Sequence, residues 1–87
     1  MKPYSWLLER EALLLLLSCS DRDKRRGVDA AEFLAHHPFQ AGHLHYRDSD
    51  QREICVYFAD RLALHYSPDH TVRELRIVSV QENLPDP

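Results

Sequence analysis

Residues 52–66 read REICVYFADRLALHY, and this stretch decides the fold because it holds two runs of alternating apolar side chains. The apolar positions are Ile54, Val56 and Phe58 in the first run, then Leu62, Leu64 and Tyr66 in the second. A period of two is typical of a β-strand with one buried face. Ala59-Asp60 separates the runs as a turn, so the stretch predicts a β-hairpin.

The same period continues on both sides of the hairpin. Leu44 and Tyr46 alternate with polar residues before it, and residues 48–50, DSD, supply turn chemistry. After it, residues 67–70, SPDH, favour a turn, and residues 72–80 form a last strand. Residues 83–87 contain two prolines and are predicted as a tail outside the sheet. The second half of the chain therefore predicts an antiparallel β-meander of three to four strands.

The first half of the chain has helical character. Residues 6–18 consist mainly of strong helix formers and are predicted as one helix. Residues 20–27 are polar and are interpreted as a solvated link. Asp29, with Glu32 three residues on, then predicts the N-cap of a second helix that Pro38 ends.

This order of elements predicts an α+β fold class, with two N-terminal helices packed on one face of the C-terminal β-meander. We interpret residues 1–87 as one domain. If the apolar residues of every strand face the helices, the opposite sheet face collects polar and basic side chains. These are His43, His45, Arg47, Tyr57, Arg61, His65 and Arg76.

That polar face is the candidate site. Arg61 would supply positive charge, and His45 and His65 would transfer protons, because imidazole is the commonest acid-base group near neutral pH. Arg47, Tyr57 and Arg76 are the candidate substrate-binding residues. The alternative is a solvated face without chemistry, in which Arg61 makes a surface ion pair with Asp60 or Glu53.

Composition limits the classes of function. The formal net charge of -3 argues against a strongly electrostatic nucleic-acid binder, because phosphate affinity comes mainly from clustered lysine and arginine. The six histidines do not match a zinc spacing pattern, although His36, His37, His43 and His45 lie close in sequence. No metal and no cofactor are therefore expected.

The two cysteines, Cys19 and Cys55, are too few for a disulfide framework, so reduced thiols and a cytoplasmic location are expected. The apolar run of residues 12–17 is too short to span a bilayer. Together with Lys2 and Cys19 it loosely resembles a lipoprotein signal, but Glu9 and Glu11 precede the run where positive charge is needed. No membrane association is predicted.

The chain resembles the RelE/ParE toxin superfamily, the toxins of bacterial type II toxin-antitoxin modules, formerly called plasmid stabilisation proteins. The resemblance covers nearly the whole chain and rests on Trp6 before a helix and on four segments. These are LAHHP at residues 34–38, REICVY at 52–57, RLALHY at 61–66 and LRIVSV at 75–80. It implies a RelE/ParE-like fold and a cognate antitoxin protein as partner.

The resemblance also implies a target, which is ribosome-bound mRNA for the ribonuclease members and DNA gyrase for others. Arg61 matches an arginine of the catalytic members, and His65 and Tyr66 are residue types that serve as acid or base. The chain departs from the catalytic pattern at residues 81–83, QEN, where those members carry basic or aromatic residues.

Three hypotheses follow. The first is a toxin-like protein that binds an antitoxin and a cellular target. The second is an active ribosome-dependent mRNA endoribonuclease that uses Arg61, His65 and His45. The third is a catalytically silent binding or oligomerisation module, with a homodimer as one candidate assembly.

Overall fold

The computed structural model describes residues 2–40 and 42–82, which form one five-stranded sheet and two helices. The strands are β1 (Ser5–Leu8), β2 (Leu44–Arg47), β3 (Glu53–Ala59), β4 (Leu62–Asp69) and β5 (Glu74–Glu82). The helices are α1 (Arg10–Ser18) and α2 (Asp21–His36). In the strand order β1-β5-β4-β3-β2, β2 to β5 form the expected antiparallel meander and β1 runs parallel to β5. The α+β class is confirmed, and the sheet is mixed.

The strand β1 was not expected, because residues 6–8 were predicted as the start of a helix. Trp6 pairs with Leu75, Leu8 pairs with Ile77, and both side chains pack against the core. The backbone N–H of Glu9 also donates to the Ile77 carbonyl at 2.9 Å. Pairing with β5 outweighs helix propensity here, since propensity contributes only tenths of a kcal/mol per residue.

The second helix begins earlier than predicted. The Ser20 side chain accepts a hydrogen bond from the Asp23 N–H at 3.2 Å and caps a helix that continues past Asp29. The interpretation of residues 20–27 as a solvated link is therefore wrong. Gly27 does not break the helix because it is buried against Leu16 of α1, where a larger side chain would collide. The predicted end before Pro38 is confirmed.

Both helices pack on the same face of the sheet, which we call the helix side; the other face is the open face. The core between the helices and the sheet contains Leu34 of α2, Leu64 and Tyr66 of β4, and Leu75 and Ile77 of β5. Neither α1 nor α2 is long and apolar enough to cross a bilayer.

The predicted facing of β3 is wrong. Cys55 pairs with Tyr66 and Tyr57 pairs with Leu64, so Cys55 and Tyr57 point to the helix side. Ile54, Val56 and Phe58 therefore lie on the open face. The reason is the length of the turn: two residues, Asp60 and Arg61, join the strands, so Ala59 pairs with Leu62 and the odd-numbered residues of β3 share a face with the even-numbered residues of β4. The predicted facing would need an odd number of turn residues, because a slip of one residue in the pairing moves every side chain of a strand to the other face.

The last turn also lies later than predicted. β4 continues to Asp69, the turn covers residues 70–73, and β5 begins at Glu74. Pro68 is accommodated in β4 because the pairing with β3 ends at Tyr66, so this part of β4 has a neighbouring strand on one side only. The predicted tail, residues 83–87, lies outside the described residues.

Candidate functional site

The open face carries a groove of about 330 Å³. Its lining includes residues from four strands: Leu44, His45, Tyr46, Val56, Phe58, Ala63, His65 and Gln81. Most of these side chains are apolar. The groove reaches Phe58 and Ala63, which form the second residue pair from the Asp60–Arg61 turn. The groove is therefore mainly a surface for apolar contact, with a few polar groups.

Tyr46 and His65 supply the polar centre of the groove. The Tyr46 hydroxyl lies 2.9 Å from Nδ1 of His65. Partial burial raises the pKa of the Tyr46 phenol, the negative charge of Asp48 adds to this effect, and Arg52 opposes it. The phenol therefore stays neutral at physiological pH, and its hydrogen bond with Nδ1 orients the His65 ring in the groove.

The predicted site residues do not converge on one face. His65 and Arg76 lie on the open face, as expected. His45 pairs with Cys55 and Arg47 pairs with Glu53, so these two residues lie with Tyr57 on the helix side. The prediction that His45 and His65 share one face is wrong, because the facing of β2 follows the actual register of β3.

The predicted cations are also separated from one another. Arg61 is exposed in the β3–β4 turn, and its neighbour Asp60 pairs with Arg26 of α2 at 3.1 Å. On the open face, Arg76 Nε lies 3.4 Å from a carboxylate oxygen of Glu74. Among the residues described, no cluster of arginines or lysines lines the groove.

The remaining predicted binding residues have structural contacts. Arg47 donates from Nη1 to the carbonyl of Gln51 at 3.0 Å, within the β2–β3 turn. The Tyr57 ring is half-buried and stacks on Phe33 of α2, with 5.7 Å between ring centroids. Arg47 thus contacts the β2–β3 turn and Tyr57 contacts α2, both on the helix side and away from the groove.

A second polar cluster lies on the helix side and was not found from the sequence. His45, Glu53 and Cys55 each place one potential ligand atom within 4.8 Å of the other two. Burial, followed by the charge of Glu53, raises the pKa of the Cys55 thiol. No spacing motif in the sequence indicates this cluster. The register of β2 with β3 forms it, because the pairing brings His45 close to residues eight and ten positions further along the chain.

Tyr66 lies beside this cluster on β4, where it pairs with Cys55. Burial, with a further effect of Cys55, raises the pKa of Tyr66 to about 12. Its hydroxyl is fully buried and has no hydrogen bond of good geometry to any residue that the structure describes. A buried polar group without a partner is uncommon in folded proteins and calls for an explanation.

The outer surface of α1 is the third feature. Ala12 and Leu16 are buried, whereas Leu13, Leu14 and Leu17 are 43%, 54% and 61% exposed. Three exposed leucines on a nine-residue helix form an apolar surface, which we call the leucine face. Contiguous exposed apolar surface of this kind marks interaction sites more often than single exposed residues do.

No protein-family model and no curated protein matches this chain. Among solved structures, it is similar to a chain of the RelBE2 toxin-antitoxin complex from Mycobacterium tuberculosis, with a TM-score of 0.80 and 20% identity over 94% of this chain and 93% of that one. It is also similar to a chain of the archaeal RelE-RelB complex from Pyrococcus horikoshii OT3, with a TM-score of 0.76 and 11% identity over 98% and 100%. The RelE-like fold implied by the sequence resemblance is confirmed.

Proposed function

We propose that this chain is the toxin component of a type II toxin-antitoxin module, which binds a cognate antitoxin and a cellular target. The observation that carries the proposal is the match of the fold, over nearly the full length, to chains from two RelE-type toxin-antitoxin complexes. We also propose a single domain for residues 1–87 and a cytoplasmic location, which suits the free thiols of Cys19 and Cys55.

The leucine face supports an antitoxin partner. Burying a leucine side chain fully is worth about 1.5 to 3 kcal/mol, so covering Leu13, Leu14 and Leu17 could supply much of the affinity of a short segment. Such a surface fits an amphipathic helix with apolar residues three or four positions apart, or an extended segment with apolar residues at alternate positions. We therefore propose that an antitoxin segment covers α1.

The target is proposed to be bound rather than cleaved. The groove on the open face is mainly apolar, Arg76 is paired with Glu74, and β5 ends in Gln81 and Glu82. A gyrase-type protein target, or a silent binding module, is favoured by these features. The second candidate function is ribosome-dependent mRNA cleavage, which the Tyr46–His65 hydrogen bond in the groove favours.

The first test is expression of the chain in a bacterial host, alone and together with the product of the adjacent small gene. We expect growth arrest when the chain is expressed alone, relief by the neighbour, and co-purification of the two proteins. Normal growth without any co-purifying neighbour would contradict the toxin proposal.

Variants then test the leucine face. The double substitution Leu14→Glu with Leu17→Glu should abolish co-purification, because it places two charges on the proposed contact. Val72→Glu is the matched control, since Val72 is 61% exposed, as is Leu17. Val72 is also distant from the end of α1. It precedes the first residue of β5, whereas Sγ of Cys19, just after α1, lies 3.4 Å from a carboxylate oxygen of Glu82, the last residue of β5. Equal loss with both variants would contradict a binding site on α1.

A further inference from the structure

The cluster of His45, Glu53 and Cys55 combines three side chains that bind divalent transition metals. Imidazole, carboxylate and thiolate are the ligand types of protein zinc sites. Here they come from two paired strands, with His45 directly opposite Cys55 and Glu53 two residues before Cys55 on the same face. Strand pairing therefore holds the three residues together, and no long loop has to be ordered.

The distances are close to those of a metal site. With metal–ligand bonds of about 2.0 to 2.3 Å, tetrahedral zinc ligands lie about 3.3 to 3.6 Å apart. Nδ1 of His45 is already 3.8 Å from a carboxylate oxygen of Glu53, and all three ligand atoms lie within 4.8 Å of one another. His45 and Glu53 are exposed and free to change rotamer, so they can close the remaining gap around the buried Cys55.

The charges balance as well. A thiolate and a carboxylate together neutralise a divalent cation, and a neutral imidazole adds no charge. The bound site would therefore carry no net charge at the partly buried edge of the sheet, where an unpaired charge would be costly.

The Tyr66 hydroxyl is an independent observation that points to the same place. Tyr66 is opposite Cys55 and only 2% exposed, and its hydroxyl has no hydrogen bond of good geometry among the described residues; the neighbouring group that affects its pKa most is the Cys55 thiol. A thiolate bound to a metal accepts hydrogen bonds, and such outer partners orient metal ligands in proteins. The hydroxyl is thus placed to donate to the Cys55 sulfur once the thiol proton is lost.

From this geometry we infer that His45, Glu53 and Cys55 form a binding site for a thiophilic divalent cation such as Zn²⁺, with Tyr66 as a positioning residue for the sulfur ligand. Three protein ligands leave a fourth position for water. The ion would connect the edge strand β2, whose four residues are all exposed, to β3. Metal binding would therefore stabilise the strand that has the least burial.

Cobalt titration of the reduced, metal-free full chain tests the inference. Co²⁺ is expected to give the near-ultraviolet charge-transfer band of a cobalt–thiolate bond together with the visible bands of tetrahedral coordination. One equivalent of Zn²⁺ should displace it, because zinc binds such sites more tightly than cobalt. Absence of the charge-transfer band at saturating Co²⁺ would overturn the inference.

Variants identify the ligands. Cys55→Ser should remove the charge-transfer band, and His45→Ala and Glu53→Gln should each weaken Co²⁺ binding by about tenfold or more. The exposed His45 and Glu53 variants keep the test valid if Cys55→Ser does not fold. Tyr66→Phe should shift the charge-transfer band and weaken binding less than loss of a ligand does.

Two matched controls separate this site from adventitious binding. Cys19→Ser removes the other thiol, whose single S–H can donate to either the Leu15 carbonyl or Glu82, and should leave the band unchanged. His65→Ala removes a histidine on the open face and should leave the affinity unchanged. Loss of the band in Cys19→Ser, or unchanged binding in both His45→Ala and Glu53→Gln, would show that the site is wrong.

Discussion

The Tyr46 hydroxyl lies 2.9 Å from Nδ1 of His65, so one hydrogen bond joins the edge strand β2 to β4 across β3. On the same face, Ile54 and Val56 of β3 are buried although no helix covers them. The pair therefore shields apolar surface of β3 and fixes the polar centre of the groove at the same time.

Tyr46→Phe should lower the free energy of unfolding by about 0.5 to 1 kcal/mol, because it removes one neutral hydrogen bond at a partly exposed position. Urea unfolding would measure this. Tyr57→Phe is the control. The Tyr57 ring packs on Phe33, but its hydroxyl makes no hydrogen bond to any residue that the structure describes, so its removal should not change stability. An equal loss in both variants would mean that the Tyr46–His65 bond is not the cause.

RNA cleavage in a ribosome-programmed mRNA assay should be weak or absent. Losing one preorganised group that stabilises charge typically costs about a hundredfold or more in rate, and the groove has no cluster of cations among its described residues. Any activity should be abolished by Arg61→Ala and weakened by His65→Ala with an altered pH profile. Strong cleavage that survives both substitutions would place the chemistry elsewhere.

Stability at acid pH should depend on Asp48. Hydrogen bonds from the Arg52 backbone N–H, the Arg52 side chain and the Asp50 N–H hold the pKa of the Asp48 carboxyl below its usual range. Arg52 also donates to Glu9, the N-cap residue of α1, at 3.0 Å. Asp48 thus helps to connect the β2–β3 turn to the first helix.

The sign follows from the lowered pKa. The ionised carboxylate stabilises the fold above its unfolded pKa of about 3.9, and this contribution is lost as the pH falls through the lower folded pKa. Asp48→Asn should therefore be less stable at neutral pH and lose less stability on acidification. Thermal unfolding across a pH series would show this. The control is Asp50→Asn, because Asp50 contributes only its backbone N–H; the same flattening in this control would contradict the assignment.

Gly27→Leu should destabilise the protein by about 1 to 3 kcal/mol. A Cβ at Gly27 would lie 2.8 Å from Cδ2 of Leu16, and the larger side chain would overfill the space between α1 and α2. The gain in helix propensity, about 0.8 to 1 kcal/mol, does not offset this. Val28→Leu, at an exposed position of the same helix, should change the unfolding midpoint little. A stabilised Gly27→Leu would show that the helices can separate without cost.

Several elements could be read from the sequence because neighbouring residues determine them. The period of two in residues 53–58 and 62–66 identifies two strands, the DSD segment of residues 48–50 identifies a turn, and Pro38 limits α2. His65 was also correctly placed on the open face. These features depend on side-chain alternation and on backbone chemistry within a few residues.

Only the tertiary structure decided the rest, since it depends on pairing between distant residues. Residues 6–8 became a strand because β5 offered a free edge, although their propensity is helical. The facing of β3 was decided by a two-residue turn at Asp60 and Arg61, and β2 followed its register, which put His45 beside Cys55 and Tyr46 beside His65. Alternation shows that a strand has two faces, but the register with neighbouring strands selects which face is buried and which side chains meet.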